Sequence, residues 1–170
     1  AANNGGERRA DDFYPTPSEC TQALIPMLTD WPKTAWEPIC GDGGIARVLE
    51  KSFKVVGTDL VYRGYGEGGI DFLKTPWRRA DAIITNPPWT REILHRMILH
   101  FQSIAPTWLL FDASWPNTKQ SAPYMDQCSH IVSVGRLRWI EGTKQTGKDN
   151  VAWHRFHAQH SGGPRFIGRA

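Results

Sequence analysis

The chain has 170 residues, 40% of them hydrophobic and 22% charged, and a net charge of +3. That length fits one domain with a sizeable core and is short for two; no apolar run approaches the roughly 20 residues of a membrane span and no secretory signal is visible, so a cytoplasmic place is expected. Three cysteines, Cys20, Cys40 and Cys128, lack any Cys-x-x-Cys spacing, which points to reduced thiols and away from a disulfide frame or a zinc site.

Residues 1–12 are polar and charged with a glycine pair and read as a flexible arm. Thr16-Pro17-Ser18-Glu19 has the pattern of a capping box with proline at the first helical position, so a helix is predicted to carry Ala23, Leu24 and Leu28 inward, kinked or shortened by Pro26. A short strand into Trp36-Glu37, a helix from about Ile45 to Lys51 and a strand from Phe53 to Asp59 make a β-α-β unit. One short strand is expected within Tyr65 to Leu73, then a strand from Asp81 to Thr85, a helix from about Thr90 to Ile104 and a strand from Thr107 to Phe111. His130 to Val134 and Val151 to His157 are β-rich, and the polar loop Gly142 to Gly147 between them suits a hairpin. Residues 161–170 read as a loose tail. The expected fold is therefore α/β, a single domain over residues 13–160, with a mostly parallel sheet, an antiparallel hairpin at one edge and helices on both faces.

Asn86-Pro87-Pro88-Trp89 follows the apolar run Ala82-Ile83-Ile84-Thr85. Two prolines remove two backbone donors and fix two φ angles, leaving carbonyls on a stiff strand end as a rigid acceptor site. An amide that accepts from an amine and an indole that stacks on a flat ring stand beside it, which suits a planar ligand with an exocyclic amino group. The plainer alternative is a proline-terminated strand with a surface tryptophan.

Ligands of open parallel sheets sit at the carboxyl ends of the strands, so the loops there carry the remaining candidates. Glu37-Pro38-Ile39-Cys40-Gly41-Asp42-Gly43-Gly44 is a glycine-rich turn ahead of a helix, permitting close backbone approach to a ligand or serving as a plain turn. Gly57-Thr58-Asp59-Leu60 ends the second strand with a carboxylate placed to accept from a ribose diol, or to cap or face solvent. Asp71-Phe72-Leu73 offers an acceptor and an aromatic face for an adenine, although Phe72 suits the core equally. Gly64-Tyr65-Gly66-Glu67-Gly68-Gly69 fits Gly-x-Gly-x-x-Gly without the helix that pattern requires and reads as a flexible loop; Gly142 to Lys148 fits the start of a P-loop, but Asp149 replaces the Ser/Thr. His154 and His157 would face opposite sides of a strand and make no metal site.

Taken in order, Glu-Pro-x-x-Gly-x-Gly, the acidic residue closing the next strand, Asp-Phe-Leu and Asn-Pro-Pro-Trp resemble the motifs of class I N6-adenine DNA methyltransferases that depend on S-adenosylmethionine. Asp12-Phe13-Tyr14-Pro15-Thr16-Pro17 is similar to that family's N-terminal cofactor motif, and Thr146 to Asn150 with Ala152-Trp153 resembles the C-terminal hairpin of its small phage-type members. The resemblance implies a Rossmann-like fold with Tyr14, Thr16, Glu37, Gly41, Gly43, Asp59, Leu60, Asp71 and Phe72 lining the cofactor pocket. It implies that Asn86, Pro87, Pro88 and Trp89 are catalytic: the Asn86 oxygen and the Pro87 carbonyl accept from the target amine, and Trp89 stacks on the base. A bacterial host cell would be the setting if the chain is phage-encoded. Cys40-Gly41-Asp42 departs from the family's small residues, and Asp42 is expected to point to solvent.

The basic excess permits a polyanionic partner. DNA, or alternatively RNA, is the partner implied, with Arg91, Lys119, Lys144 and Lys148 on phosphates, no membrane and no metal. Indoles interleaved with arginines at Trp77-Arg78-Arg79, Trp89-Thr90-Arg91 and Arg136-Leu137-Arg138-Trp139 make candidate base platforms, or core tryptophans beside solvated arginines. With no separate target-recognition domain and only short loops near Trp115 to Tyr124 and Gly142 to Asn150 for base contacts, sequence selectivity should be weak. The rivals are cytosine-N4 transfer, RNA adenine transfer, protein glutamine transfer, and a degenerate fold that only binds nucleic acid or a partner protein.

Overall fold

The computed structural model describes residues 15–28, 33–74, 80–137 and 150–170. Among these, seven strands form one sheet: β1 (Thr34–Glu37), β2 (Lys54–Gly57), β3 (Ala82–Thr85), β4 (Thr107–Asp112), β5 (Cys128–Gly135), β6 (Val151–Phe156) and β7 (Arg165–Ile167). Their spatial order is β2-β1-β3-β4-β6-β5-β7. The pairs among β2, β1, β3 and β4 are parallel, β6 is antiparallel to both β4 and β5, and β7 runs parallel to β5. The chain moves outward from β1 to β2 and then crosses to β3 on the other side of β1, so the switch point lies between β1 and β3 and a crevice opens at their carboxyl ends.

Period-2 alternation divides the strands between two cores. Ala35, Ala82, Ile84, Trp108, Leu110 and Trp153 face α1 (Ser18–Leu24) and α2 (Ala46–Leu49). Leu109, Phe111, Trp36 and Ile83 face α3 (Arg91–Gln102), whose Leu94, Met97, Ile98 and Phe101 recur at helical spacing. Helices thus cover both faces, and the predicted α/β architecture with its antiparallel C-terminal hairpin is the one observed. The loop of that hairpin lies outside the described residues. Among the described residues no helix is long and apolar enough to cross a membrane.

Local departures have identifiable causes. The capping box does not form: the N-cap of α1 is Pro17, which has no side-chain acceptor, and the Thr16 hydroxyl accepts from Asn86. At Pro26 the helix gives way to a 3-10 turn, Ile25–Met27, as a missing N–H requires. The strand expected within Tyr65 to Leu73 is only a single parallel bridge between Thr58 and Glu67. The expected loose tail instead contains β7: Gly162 and Gly163, at φ +97° and +78°, turn the chain, and their N–H groups donate to the Asp126 side chain (2.9 Å) and carbonyl (3.2 Å). Ile167 then packs against the Val132–Val134 side of the core.

Candidate active site

The glycine turn is built by backbone bonds. Thr58 N–H donates to the Glu37 carbonyl and Cys40 N–H to the Thr58 carbonyl, each at 2.9 Å, prolonging the β1–β2 pairing beyond the strands, and Gly43 N–H closes the turn on the Cys40 carbonyl at 2.9 Å. Gly41 and Gly43 hold φ of +55° and +92°, the left-handed region that disfavours other residues. Asp59 braces the same turn: its Oδ2 accepts from Gly41 N–H at 2.8 Å and its Oδ1 from Val61 N–H at 3.3 Å. A carboxylate has about four lone-pair sites, so Asp59 keeps acceptor capacity beyond these two bonds. Asp42 is exposed as expected, its Oδ1 accepting from Gly44 N–H at 3.2 Å.

Glu37 ends β1 at 2% exposure with no hydrogen-bond partner for its Oε2. Burial pushes its carboxyl well above the usual carboxylate range; the Ala46 N–H opposes that shift, and the charges of Asp59 and Asp42 add to it. An orphan oxygen on a buried acid costs stability, and an incoming N–H donor or cation would satisfy it. The neighbouring Cys40 thiol is pushed up to about 12, first by burial and then by Glu37 and Asp59, so it stays protonated and is no nucleophile.

Sequence reasoning missed Tyr65. A Cβ at Gly43 would lie 2.7 Å from its ring and one at Gly57 2.5 Å, so both glycines make room for this tyrosine. Its hydroxyl bonds to Glu50, and the Arg47 guanidinium carbon lies 5.1 Å from the ring centroid. The stretch Gly64 to Gly69, read as a flexible loop, is therefore anchored beside β2, with Glu67 N–H on the Gly57 carbonyl at 3.0 Å. A lone aromatic among four glycines was the available signal.

Asn86 follows directly on β3 and is 4% exposed. Its Nδ2 donates to Thr16 Oγ1 at 3.2 Å, while its Oδ1 is buried without a partner. Thr16 also abuts the glycine turn, since a Cβ at Gly44 would lie 3.0 Å from its carbonyl oxygen. The segment before α1, the glycine turn and the Asn86 amide therefore meet at Thr16. Pro87 and Pro88 are buried, and Trp89 is half-buried between the two cores. Trp36 Nε1 donates to Thr58 Oγ1 at 3.0 Å and Thr85 Oγ1 to the Ile39 carbonyl at 3.4 Å, tying the three strand ends together.

The remaining predicted residues divide. Leu60, just past β2, is 41% exposed and free to cover a flat ligand. Asp71 Oδ1 accepts from Leu73 N–H at 2.9 Å, and Phe72 is 5% exposed within the cluster of Trp36, Ile83 and Phe101, the core placement that was its alternative. Arg91, expected on phosphate, is instead drawn to the end of β4, its guanidinium 3.1 Å from Asp112 Oδ2. Lys119 is exposed on the loop after β4. That loop is less free than expected: Trp115 is fully buried and donates to His95 Nε2 at 3.0 Å, and Tyr124 stacks on His95 at 4.5 Å. Tyr14, Lys144, Lys148, Trp77 and Trp139 lie outside the described residues, and no cluster of three or more metal-ligating side chains occurs among those described.

No family model and no curated protein matches the sequence. Solved structures do match the fold. A protein assigned as an RNA methyltransferase from Pyrococcus horikoshii aligns with a TM-score of 0.66 at 14% identity, over 90% of each chain. The methyltransferase subunit of a type I restriction-modification system from Streptococcus thermophilus aligns at 0.58 and 12% identity, over 94% of this chain and 48% of that one, so this chain spans about half of it. A protein assigned as a class I S-adenosylmethionine-dependent methyltransferase from Listeria monocytogenes gives 0.59 and 12%, over 98% and 67%. The chain has the Rossmann-like fold of class I methyltransferases.

Proposed function

We propose that the chain, acting as one cytoplasmic domain of the small phage type, transfers a methyl group from S-adenosylmethionine to the exocyclic N6 amine of adenine in DNA, with weak sequence selectivity. The observation that carries this reading is the Asn86 amide, buried, held through its nitrogen by Thr16 and presenting an unpartnered oxygen beside two prolines.

The residues fit the cofactor. Glu37 Oε2 is an orphan acceptor that an amino-acid ammonium would satisfy, Asp59, which braces the glycine turn, keeps acceptor capacity for ribose hydroxyls, and Leu60 is exposed for the adenine. Asp71, Tyr14 and, from the core side, Phe72 complete the set by the motif resemblance; Thr16 borders it through its backbone, which abuts Gly44, while its hydroxyl is taken by Asn86. Bound there, S-adenosylmethionine supplies an electrophilic sulfonium methyl. An aromatic amine is a poor nucleophile because its lone pair is delocalised into the ring. Asn86 Oδ1 and the Pro87 carbonyl each accept one N–H, which holds the nitrogen in a reactive geometry and disperses the positive charge it gains. Trp89 stacks on the base, worth about 1–3 kcal/mol, offsetting part of the few kcal/mol spent in extracting it from a duplex. The methylated nitrogen sheds its extra proton without a strong general base.

Asn at the first motif position favours adenine over cytosine. RNA adenine is the second reading, favoured by the similarity to the Pyrococcus horikoshii protein. Asn86→Ala tests the assignment: methyl transfer should fall by most of its rate with cofactor affinity nearly intact. A comparable loss of cofactor binding in a folded variant would remove Asn86 from the amine.

A further inference from the structure

The charge of this chain is unevenly placed. Residues 127–170 carry seven Lys/Arg against two Asp/Glu, net +5, whereas residues 1–126 carry thirteen against fifteen, net −2. The basic excess therefore belongs to the last quarter, whose described residues form β5, β6 and β7 beyond β4, across Asn86 from the glycine turn. Both acids of that quarter, Glu141 and Asp149, and three of its seven bases, Arg138, Lys144 and Lys148, lie outside the described residues, leaving Arg136, Arg155, Arg165 and Arg169 as its described charges.

Among the described residues, strand β7 ends the sheet, pairing with β5 along one side with no strand on the other. Phe166 at its centre is 68% exposed, the most exposed large hydrophobic among the described residues, with Arg165 and Arg169 exposed around it. The sheet also builds a place for Arg169. Gly135, at φ +98°, ends β5, and a Cβ there would lie 2.7 Å from Arg169 Nη1. The missing side chain thus lets the guanidinium lie against the backbone next to Arg136. Neither arginine makes an ion pair with a described residue. Arg136 and Arg169 thus stand at one end of the sheet as exposed cations with no described carboxylate paired to them, and an anion would neutralise them.

We propose that the outer edge of β7, with Phe166, Arg165, Arg169 and Arg136, binds the nucleic-acid strand on which the target base lies. This rests on the nucleic-acid reading of the active site. Strands β5 and β7 run parallel to β3 and β4, so Arg136 and Arg169 stand at the same end of the sheet as Asn86. Four strand spacings of about 4.8 Å place β7 roughly 19 Å from β3, several nucleotides along from the target. Guanidinium groups hold phosphates there without reading sequence, and Phe166 stacks on a base of any identity, consistent with weak selectivity.

The test is binding of the full chain to labelled 30-nucleotide single strands of DNA and of RNA across a sodium chloride series, for wild type, Arg165→Ala/Arg169→Ala and Phe166→Ala. Thermal unfolding and cofactor binding serve as controls. The double variant should weaken binding at least fivefold and reduce the slope of log K against log salt by about 1.4, some 0.7 for each phosphate no longer neutralised. Phe166→Ala should weaken binding by roughly fivefold or more, the low end of a base-stacking contribution. Wild-type affinity and slope in folded variants would overturn the proposal, as would variants that change only self-association, which would make the edge an interface between copies. A wild type that binds neither strand overturns it as well. Edge-dependent binding by a wild type that transfers no methyl group would uphold β7 and overturn the catalytic reading alone.

Discussion

Replacing Thr16 by valine removes the hydroxyl that Asn86 Nδ2 bonds at 3.2 Å while keeping the branched shape of the side chain. The Asn86 amide is 4% exposed, so water replaces the lost acceptor poorly. A neutral hydrogen bond contributes about 0.5–1.5 kcal/mol, and without it the amide is free to turn its NH2 toward the incoming amine, donor against donor. The variant should lose about twofold to tenfold in kcat, the rate equivalent of that energy, with its cofactor Kd near wild type. Thr16→Ser keeps the oxygen and should recover most of the rate. Single-turnover methylation of an oligonucleotide measures the rate and titration calorimetry the affinity. In an Asn86→Ala background the Thr16→Val change should cost nothing further, because the partner it positions is gone. An unchanged kcat, or a cofactor Kd raised by as much as kcat/KM falls, would refute Thr16 as the residue that orients Asn86.

Glu37→Gln should weaken cofactor binding yet stabilise the free protein. Because the folded-state pKa of Glu37 lies above its unfolded value, its contribution to stability is complete below the unfolded value and is lost as pH rises toward the folded one; the Tm gap favouring the variant should widen as pH rises above the unfolded value of about 4.3, and a constant gap would contradict the raised pKa. His154 is stacked on Phe111 at 3.9 Å, and burial holds its pKa down to about 3. Its neutral form supports the fold above an unfolded value of about 6.5, and that support is lost as pH falls toward 3, amounting to about 2 kcal/mol by pH 5. His154→Phe should flatten that acid limb in denaturant titrations, and identical limbs would refute the assignment. Gly43→Ala forces a methyl to 2.7 Å from the Tyr65 ring at φ +92° and should cost about 1–3 kcal/mol, lowering Tm by roughly 2–4 °C per kcal/mol. An unchanged Tm would mean that Tyr65 does not lie against Gly43.

The β-α-β alternation was legible because each strand is a short apolar run closed by a turn residue, as in Ala82–Thr85 before Asn86-Pro87-Pro88. The partners chosen by chemically flexible groups were not. Thr16 carries the sequence of a cap and spends its hydroxyl on Asn86, 70 residues away; Arg91 looks like a surface cation and finds Asp112 across α3 and β4. Asp59 reads as a ligand acceptor, and nothing local shows that Gly41 N–H already bonds it. Strand β7 escaped notice because three residues give too little pattern, and its pairing depends on Val132 of β5, which lies 35 residues from Ile167.

The central claim is the identity of the methylated atom. Wild-type chain and Asn86→Ala, incubated with methyl-labelled S-adenosylmethionine and separately with DNA, RNA and a protein extract, followed by digestion and chromatography of the nucleosides and amino acids, measure it directly. Label in N6-methyl-deoxyadenosine from DNA, lost in the variant, is the expected result. Label confined to RNA, to cytosine or to protein, or no transfer by a folded wild type that binds the cofactor, would contradict it.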